Sequence, residues 1–228
     1  MSATAAAPPL KREVGFYEAS LGKKVLMAVT GCILFLFVIG HLLGNLQVYL
    51  GPEALNAYAR KLRDLGPLLW VVRGVLLVSV LVHIITGVQL WLANRAARPV
   101  GYVRRNWVEG SFSSRTMILS GPLIGLFVLY HLLHLTWGTV HPEFNHELDV
   151  YANVVRGFAE WPASLAYILA MVFLGFHLSH GIWSMFQSVG WNHPRYMPPI
   201  RKAAVVAALL IVAGNISIPV AVLAGIVR

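Results

Sequence analysis

Six of the nine histidines, His41, His83, His131, His134, His177 and His180, fall inside long apolar stretches of the chain. An imidazole in a membrane core is costly without a partner, and a residue of this kind usually serves a site. Any one of them alone could equally be a hydrogen-bonding link between helices. Four separate apolar stretches carrying them together point instead to a shared site. Neutral imidazole nitrogens are axial ligands of haem iron, and two of them complete its coordination. The single cysteine, Cys32, lies in an apolar stretch, so neither a disulfide framework nor a Cys-x-x-Cys-His attachment site exists. Any haem would be held without covalent links.

These histidines need elements that hold them at fixed depths. The chain has 228 residues, of which 57% are hydrophobic and 12% charged, with a mean hydropathy of +0.68. That leaves too little polar surface for a soluble globule. A bilayer core about 30 Å thick is crossed by about 20 apolar helical residues, because a helix satisfies its own backbone groups where lipid offers none. Five stretches qualify: 24–50, 68–92, 117–140, 163–189 and 203–227. Gly51-Pro52, Gly66-Pro67, Pro99, His141-Pro142, Trp161-Pro162 and the Pro194 to Pro199 stretch punctuate them. The expected fold is an all-α integral membrane bundle: residues 1–23 form an N-terminal segment, and 24–228 one domain whose first four spans bind haem. No cleaved leader is expected, since the first apolar run is too long for a signal-peptide core.

The net charge of +9 does not indicate nucleic acid, because its carriers sit in the gaps between apolar runs. Lys11, Arg12, Lys23 and Lys24, then Arg95, Arg98, Arg104, Arg105 and Arg115, then Arg195, Arg201 and Lys202 share one side. The other side has Arg60, Lys61, Arg63, Arg156 and Arg228, and an acidic third connection with Glu143, Glu147, Asp149 and Glu160. The positive-inside rule then places the N-terminus in the cytoplasm and the C-terminus outside.

With direction fixed, depth follows at 1.5 Å per helical residue. His41, 17 residues after Lys24, lies about 25 Å from the inner face, and His131, 14 after Met117, about 21 Å. Spans two and four run inward, so His83 and His177 both lie about 8 to 9 Å from that face. Two pairs at two levels, about 12 to 16 Å apart, match two stacked bis-imidazole haems.

Depth does not choose between His131 and His134, and it only weakly separates His177 from His180. The second member of each pair is a candidate partner for a ligand or a propionate, as are Arg73 and Arg115, although arginines near helix ends also reach toward headgroups. Gly44, Gly87 and Gly181, three or four residues after a candidate ligand, give each of those helices a shallow face for a flat macrocycle. His141, His146 and His193 lie in loops and read as surface residues.

The segments Ser-Leu-Gly-Lys-Lys (20–24), Ile-Gly-His-Leu-Leu-Gly-Asn (39–45), Val-His-Ile-Ile-Thr-Gly (82–87), Leu-Tyr-His-Leu (129–132) and Phe-His-Leu-Ser-His-Gly-Ile-Trp-Ser (176–184) resemble the succinate dehydrogenase cytochrome b subunit. The similarity is to its single-chain, five-helix, dihaem form, and it runs from about Ser20 through the fifth span. It implies two haem b groups, with His41 and His131 as ligands of the outer one and His83 and His177 of the inner. In the family pattern the third-span ligand follows an aromatic residue, as His131 follows Tyr130, and the fourth-span ligand opens the His-Leu-Ser-His-Gly stretch. The resemblance further implies a flavoprotein with covalent FAD and an iron-sulfur subunit docked on the inner face of a bacterial cytoplasmic membrane. Menaquinone is the family's usual quinone for this form.

A quinone headgroup needs a proton donor or acceptor near a haem edge. Asp64, Glu53, Tyr49 and Tyr58 are outer candidates, and Ser20, Lys24 and Trp107 inner ones, all of which also suit interfacial anchoring. Two rival functions remain at this stage. One is the cytochrome b subunit of a hydrogenase or formate dehydrogenase; the other is a transporter with a histidine relay. The fourth-span motif speaks against the first, and the lack of repeat halves or matched broken helices against the second.

Overall fold

The computed structural model describes residues 15–97, 100, 110–141, 143–147 and 149–228. Lys11, Arg12, Arg98, Pro99, Arg104, Arg105, Trp107 and Pro142 lie outside the described residues. The elements are α1 (Ser20–Asn45), α2 (Pro52–Asp64), α3 (Pro67–Ala96), α4 (Phe112–Leu135), α5 (Val150–Ala159), α6 (Trp161–Ser188) and α7 (Met197–Leu223), with a 3-10 turn over Leu46–Leu50. No strand occurs among the described residues. Five helices are long and apolar enough to cross a membrane: α1 with its 3-10 extension, α3, α4, α6 and α7.

Each start and stop has a local cause. Pro52, Pro67, Pro162 and Pro198 occupy first-turn positions, where a missing N–H costs nothing. Ser111 caps α4 by accepting from the Ser114 N–H at 3.1 Å, and Asp149 caps α5 by accepting from Ala152 N–H at 3.0 Å. Gly51 (φ 93°) and Gly66 (φ 53°) bracket α2 in backbone conformations that side chains disfavour. The third span ends earlier than its apolar pattern suggests, at Leu135, and Gly138 (φ 73°) turns the chain beyond it.

Two helices are additional to the five expected spans. α2 and α5 are short and amphipathic, and they lie together at one end of the bundle, called here the cap end. Leu55 of α2 packs with Val48, while Val154 and Phe158 of α5 pack with Tyr167 and Ile218. Asn56 ties the two together: its side-chain N–H donates to Asp149 at 2.9 Å and its oxygen accepts from the Tyr151 N–H at 3.0 Å.

α1 packs against α3 and α6, and α4 against α6, so α1 faces α4 across one diagonal of a four-helix bundle and α3 faces α6 across the other. α7 lies outside, against α6 and α1. Small residues bring it close: a Cβ on Gly214 would meet Leu42 at 3.0 Å, and one on Gly175 would meet Val212 at 2.8 Å. Leu42, Leu178, Ile182, Ala204, Ala208 and Ile211 form the apolar core of this contact. The outward face of α3, with Leu77, Val78 and Leu81, is exposed as lipid-facing surface should be.

Candidate haem-binding site

The two bundle diagonals are closed by histidines. His41 of α1 and His131 of α4 stand edge to face with ring centroids 5.7 Å apart. His83 of α3 and His177 of α6 are tilted by 58° with centroids 6.2 Å apart. Metal–imidazole bonds of about 2 Å and a ring radius of about 1 Å on each side set two trans axial imidazoles about 6 Å apart, centre to centre. Both couples have that spacing. Two imidazoles holding one iron would be free to differ in ring plane, so interplanar angles of 58° and 88° do not count against such a pairing.

Three helices measure the distance between the couples. Thr30 touches His83, and His41 follows it on α1 by 11 residues; Ser120 touches His177, and His131 follows it on α4 by 11. Tyr167 touches His131, and His177 follows it on α6 by 10. At 1.5 Å per residue the three give about 15 to 17 Å.

Hydroxyls orient the rings. Thr30 donates its proton to the Leu26 carbonyl at 2.7 Å, so its oxygen, 3.2 Å from His83 Nδ1, can only accept there. The His83 proton therefore sits on Nδ1, and Nε2 presents a lone pair. Ser120 lies beside His177 Nδ1 at 3.4 Å and the Met117 carbonyl at 3.5 Å, two longer contacts of similar length. Tyr167 lies 3.1 Å from Nδ1 of His131. Such partners fix tautomer and orientation in metal-binding histidines. Among the described residues no group of three or more His, Cys, Asp or Glu is placed to hold a bare metal ion. Two imidazoles per level are instead the complement of an iron that already has four porphyrin nitrogens, so the donor set fits haem.

His134 takes no place in either couple. It is 1% exposed, stacks on Tyr130 at 5.4 Å and on His141 at 4.9 Å, and shares the Tyr167 hydroxyl with His131 at 3.1 Å. His141, read from sequence as a surface residue, is 7% exposed: its Nε2 donates to the Asn153 carbonyl at 2.7 Å, which folds the loop under α5. His146 and His193 are exposed, as expected. His180 turns its ring edge onto Trp183 at 4.9 Å, and its buried Nδ1 has no hydrogen-bond partner among the described residues. The Arg201 guanidinium lies over the other ring of that group, Trp183, at 4.5 Å.

The remaining candidates lie apart. Arg73 is exposed and covers Trp70 at 4.9 Å, and Arg115 is exposed beside Phe112 at 6.0 Å. Ser20 and Lys24 are exposed on the first turns of α1, and Asp64 is exposed at the end of α2. Gly44 does not offer a face to a macrocycle: a Cβ there would meet the Tyr58 ring at 2.6 Å, so the glycine makes room for α2. Gly181 faces open space, and Gly87 stands 3.8 Å from the Met27 sulfur by the same measure. A cavity of about 220 Å³ at the cap end is lined by Tyr130, His134, Val140, Glu160, Pro162 and Ala163.

Thr30, Ser120 and Tyr167 are the site residues that histidine counting passed over. The same depth arithmetic, extended to hydroxyls, puts Thr30 about 9 Å from the inner face, level with His83.

The family described as succinate dehydrogenase/fumarate reductase transmembrane subunit matches residues 94–215, from the end of α3 through most of α7. No curated protein and no solved structure matches the chain. Five apolar spans and a match over more than half the length give one conclusion: the chain belongs to the succinate dehydrogenase/fumarate reductase transmembrane subunit family and is an integral membrane protein.

Proposed function

We propose that this subunit is a dihaem cytochrome b that anchors a succinate:quinone oxidoreductase and conducts electrons from its partner subunits to a membrane quinone, menaquinone in the family's usual pattern. The observation that carries the reading is the pair of imidazole couples at 5.7 and 6.2 Å, each at the spacing of trans axial ligands. His41 and His131 would hold one haem b, and His83 and His177 the other. Bound there, the two haems supply one-electron redox chemistry at two depths of the bundle.

The chain's own residues do the rest. Thr30 and Ser120 would keep protons on Nδ1 of His83 and His177, which leaves the Nε2 lone pairs free for iron. His180, whose Nδ1 has no partner among the described residues, lies one turn beyond His177, and Arg201 lies close by over Trp183; both suit a propionate carboxylate. The cap-end cavity suits a quinone headgroup, with His134, Tyr130 and Glu160 as hydrogen-bonding groups. Ser20, Lys24 and Asp64 suit the interfacial ends better, being exposed.

Lys23, Lys24, Arg95, Arg115, Arg195, Arg201 and Lys202 gather at the end opposite α2 and α5, which supports a cytoplasmic position for that end in a bacterial inner membrane. The flavoprotein, with FAD, and the iron-sulfur subunit would dock there. Family membership favours this dicarboxylate-linked partner over a hydrogenase or formate dehydrogenase.

The test is succinate addition to the purified complex, followed in the visible spectrum. The reading predicts growth of the haem b α band, blocked when a competitive dicarboxylate fills the partner's site. A complex with succinate dehydrogenase activity and no spectral response contradicts it.

A further inference from the structure

We propose that Tyr167, itself fixed by His134, is a positioning residue for His131, setting which nitrogen of that imidazole carries the free lone pair; the inference rests on the haem reading above. The Tyr167 oxygen lies 3.1 Å from Nδ1 of His131 and 3.1 Å from Nδ1 of His134. A phenol has one proton to donate, and each neutral imidazole has one N–H. When its proton goes to one histidine, Tyr167 donates to that histidine and accepts from the other, and the three groups form a chain with a single direction. Two directions exist. In one, His131 Nδ1–H donates to Tyr167, whose O–H donates to His134 Nδ1; His131 Nε2 then carries a lone pair. In the other, the proton of His131 sits on Nε2 and the ring cannot ligate iron.

Only the first direction makes His131 a ligand. In that direction His134 draws the phenol proton away and makes the oxygen a better acceptor for His131 Nδ1–H. A stronger acceptor at Nδ1 makes the imidazole a more basic ligand, which favours ferric over ferrous iron. His134 is placed to be rigid in this role. It is 1% exposed, lies against His141 at 4.9 Å, and sits so close to Gly157 that a Cβ there would meet its ring at 3.0 Å. The tyrosine ring is clamped as well, edge to face with Phe127 at 4.9 Å and Phe158 at 4.8 Å. His41, across the gap, stacks on Phe37 at 5.3 Å. The couple is thus asymmetric, with the orienting hydroxyl on the α4 side.

The experiment is redox titration of the two haems in the purified complex, comparing wild type with Tyr167→Phe and His134→Leu. Tyr167→Phe keeps the ring and deletes the oxygen. It should raise the midpoint potential of the outer haem, with about a tenfold change in ferrous over ferric preference, or about 59 mV for one electron, and leave the inner haem unchanged. His134→Leu keeps the Tyr167 acceptor and should give a smaller rise at the same haem. If Tyr167→Phe loses the outer haem, the His134→Leu titration decides: a rise supports the proposal and an unchanged potential overturns it. If Tyr167→Phe retains both haems with both potentials unchanged, the positioning role is wrong. Absence of an outer haem from the wild type would instead overturn the functional reading on which it rests.

Discussion

Thr30 holds its hydroxyl oxygen 3.2 Å from Nδ1 of His83 while directing its own proton to the Leu26 carbonyl at 2.7 Å. A side chain one helix away thereby decides which imidazole nitrogen is left to bind. Thr30→Val keeps the shape and removes the acceptor. The inner haem should remain bound but titrate at higher potential, with the outer haem unmoved, by optical redox titration. Ser120→Ala should act in the same direction on the same haem and less strongly, because its hydrogen bonds are longer, at 3.4 and 3.5 Å.

The His83–His177 couple predicts that two distant sequence positions share one chromophore. His83→Ala and His177→Ala should each delete the same α-band component in reduced-minus-oxidised spectra, leaving the other component at full amplitude. Loss of different components in the two variants would break the pairing.

Gly157 and Gly74 predict opposite outcomes for one substitution. A Cβ on Gly157 would meet His141 Nε2 at 2.8 Å and the His134 ring at 3.0 to 3.1 Å, whereas one on Gly74 meets nothing within 4 Å. Gly157→Ala should cost about 1 to 3 kcal/mol through overpacking. Gly74→Ala should be neutral or slightly stabilising, since alanine suits a helix interior better than glycine. Thermal melts of the detergent-solubilised chain measure both.

Asp149 predicts a pH dependence at the cap end. The Ala152 N–H, then the Asn56 side chain, hold its carboxyl below the ordinary carboxylate range. A depressed carboxylate contributes stability in full at neutral pH and loses it as pH falls through the lowered value. Asp149→Ala should therefore cost about 1 kcal/mol near pH 7, and its melting point should approach that of the wild type in acid.

Helix length and apolar run were enough to read the five spans, because a regular helix advances by the same amount at every residue. The same regularity set His41 level with His131 and His83 level with His177, rings that the structure brings within 5.7 and 6.2 Å. What depth cannot give is direction around a helix axis. His131 and His134 differ by one turn; the resemblance favours His131, and the packing of Tyr130, His141 and Tyr167 around His134 leaves His134 outside both couples. α2 and α5 escaped because each is too short to be a span, and their burial depends on contacts such as Asn56 to Asp149, 93 residues apart. His141 looked like a loop residue because its burial comes from the Asn153 carbonyl, which α5 supplies.

The account rests on each imidazole couple holding one iron, and haem quantification per chain tests that most directly. Pyridine haemochromogen analysis of the purified subunit in its complex should give two haem b per chain in the wild type, one in His131→Ala and two in His134→Leu. A wild type with one haem or none, or a His131→Ala chain that keeps both, would contradict it.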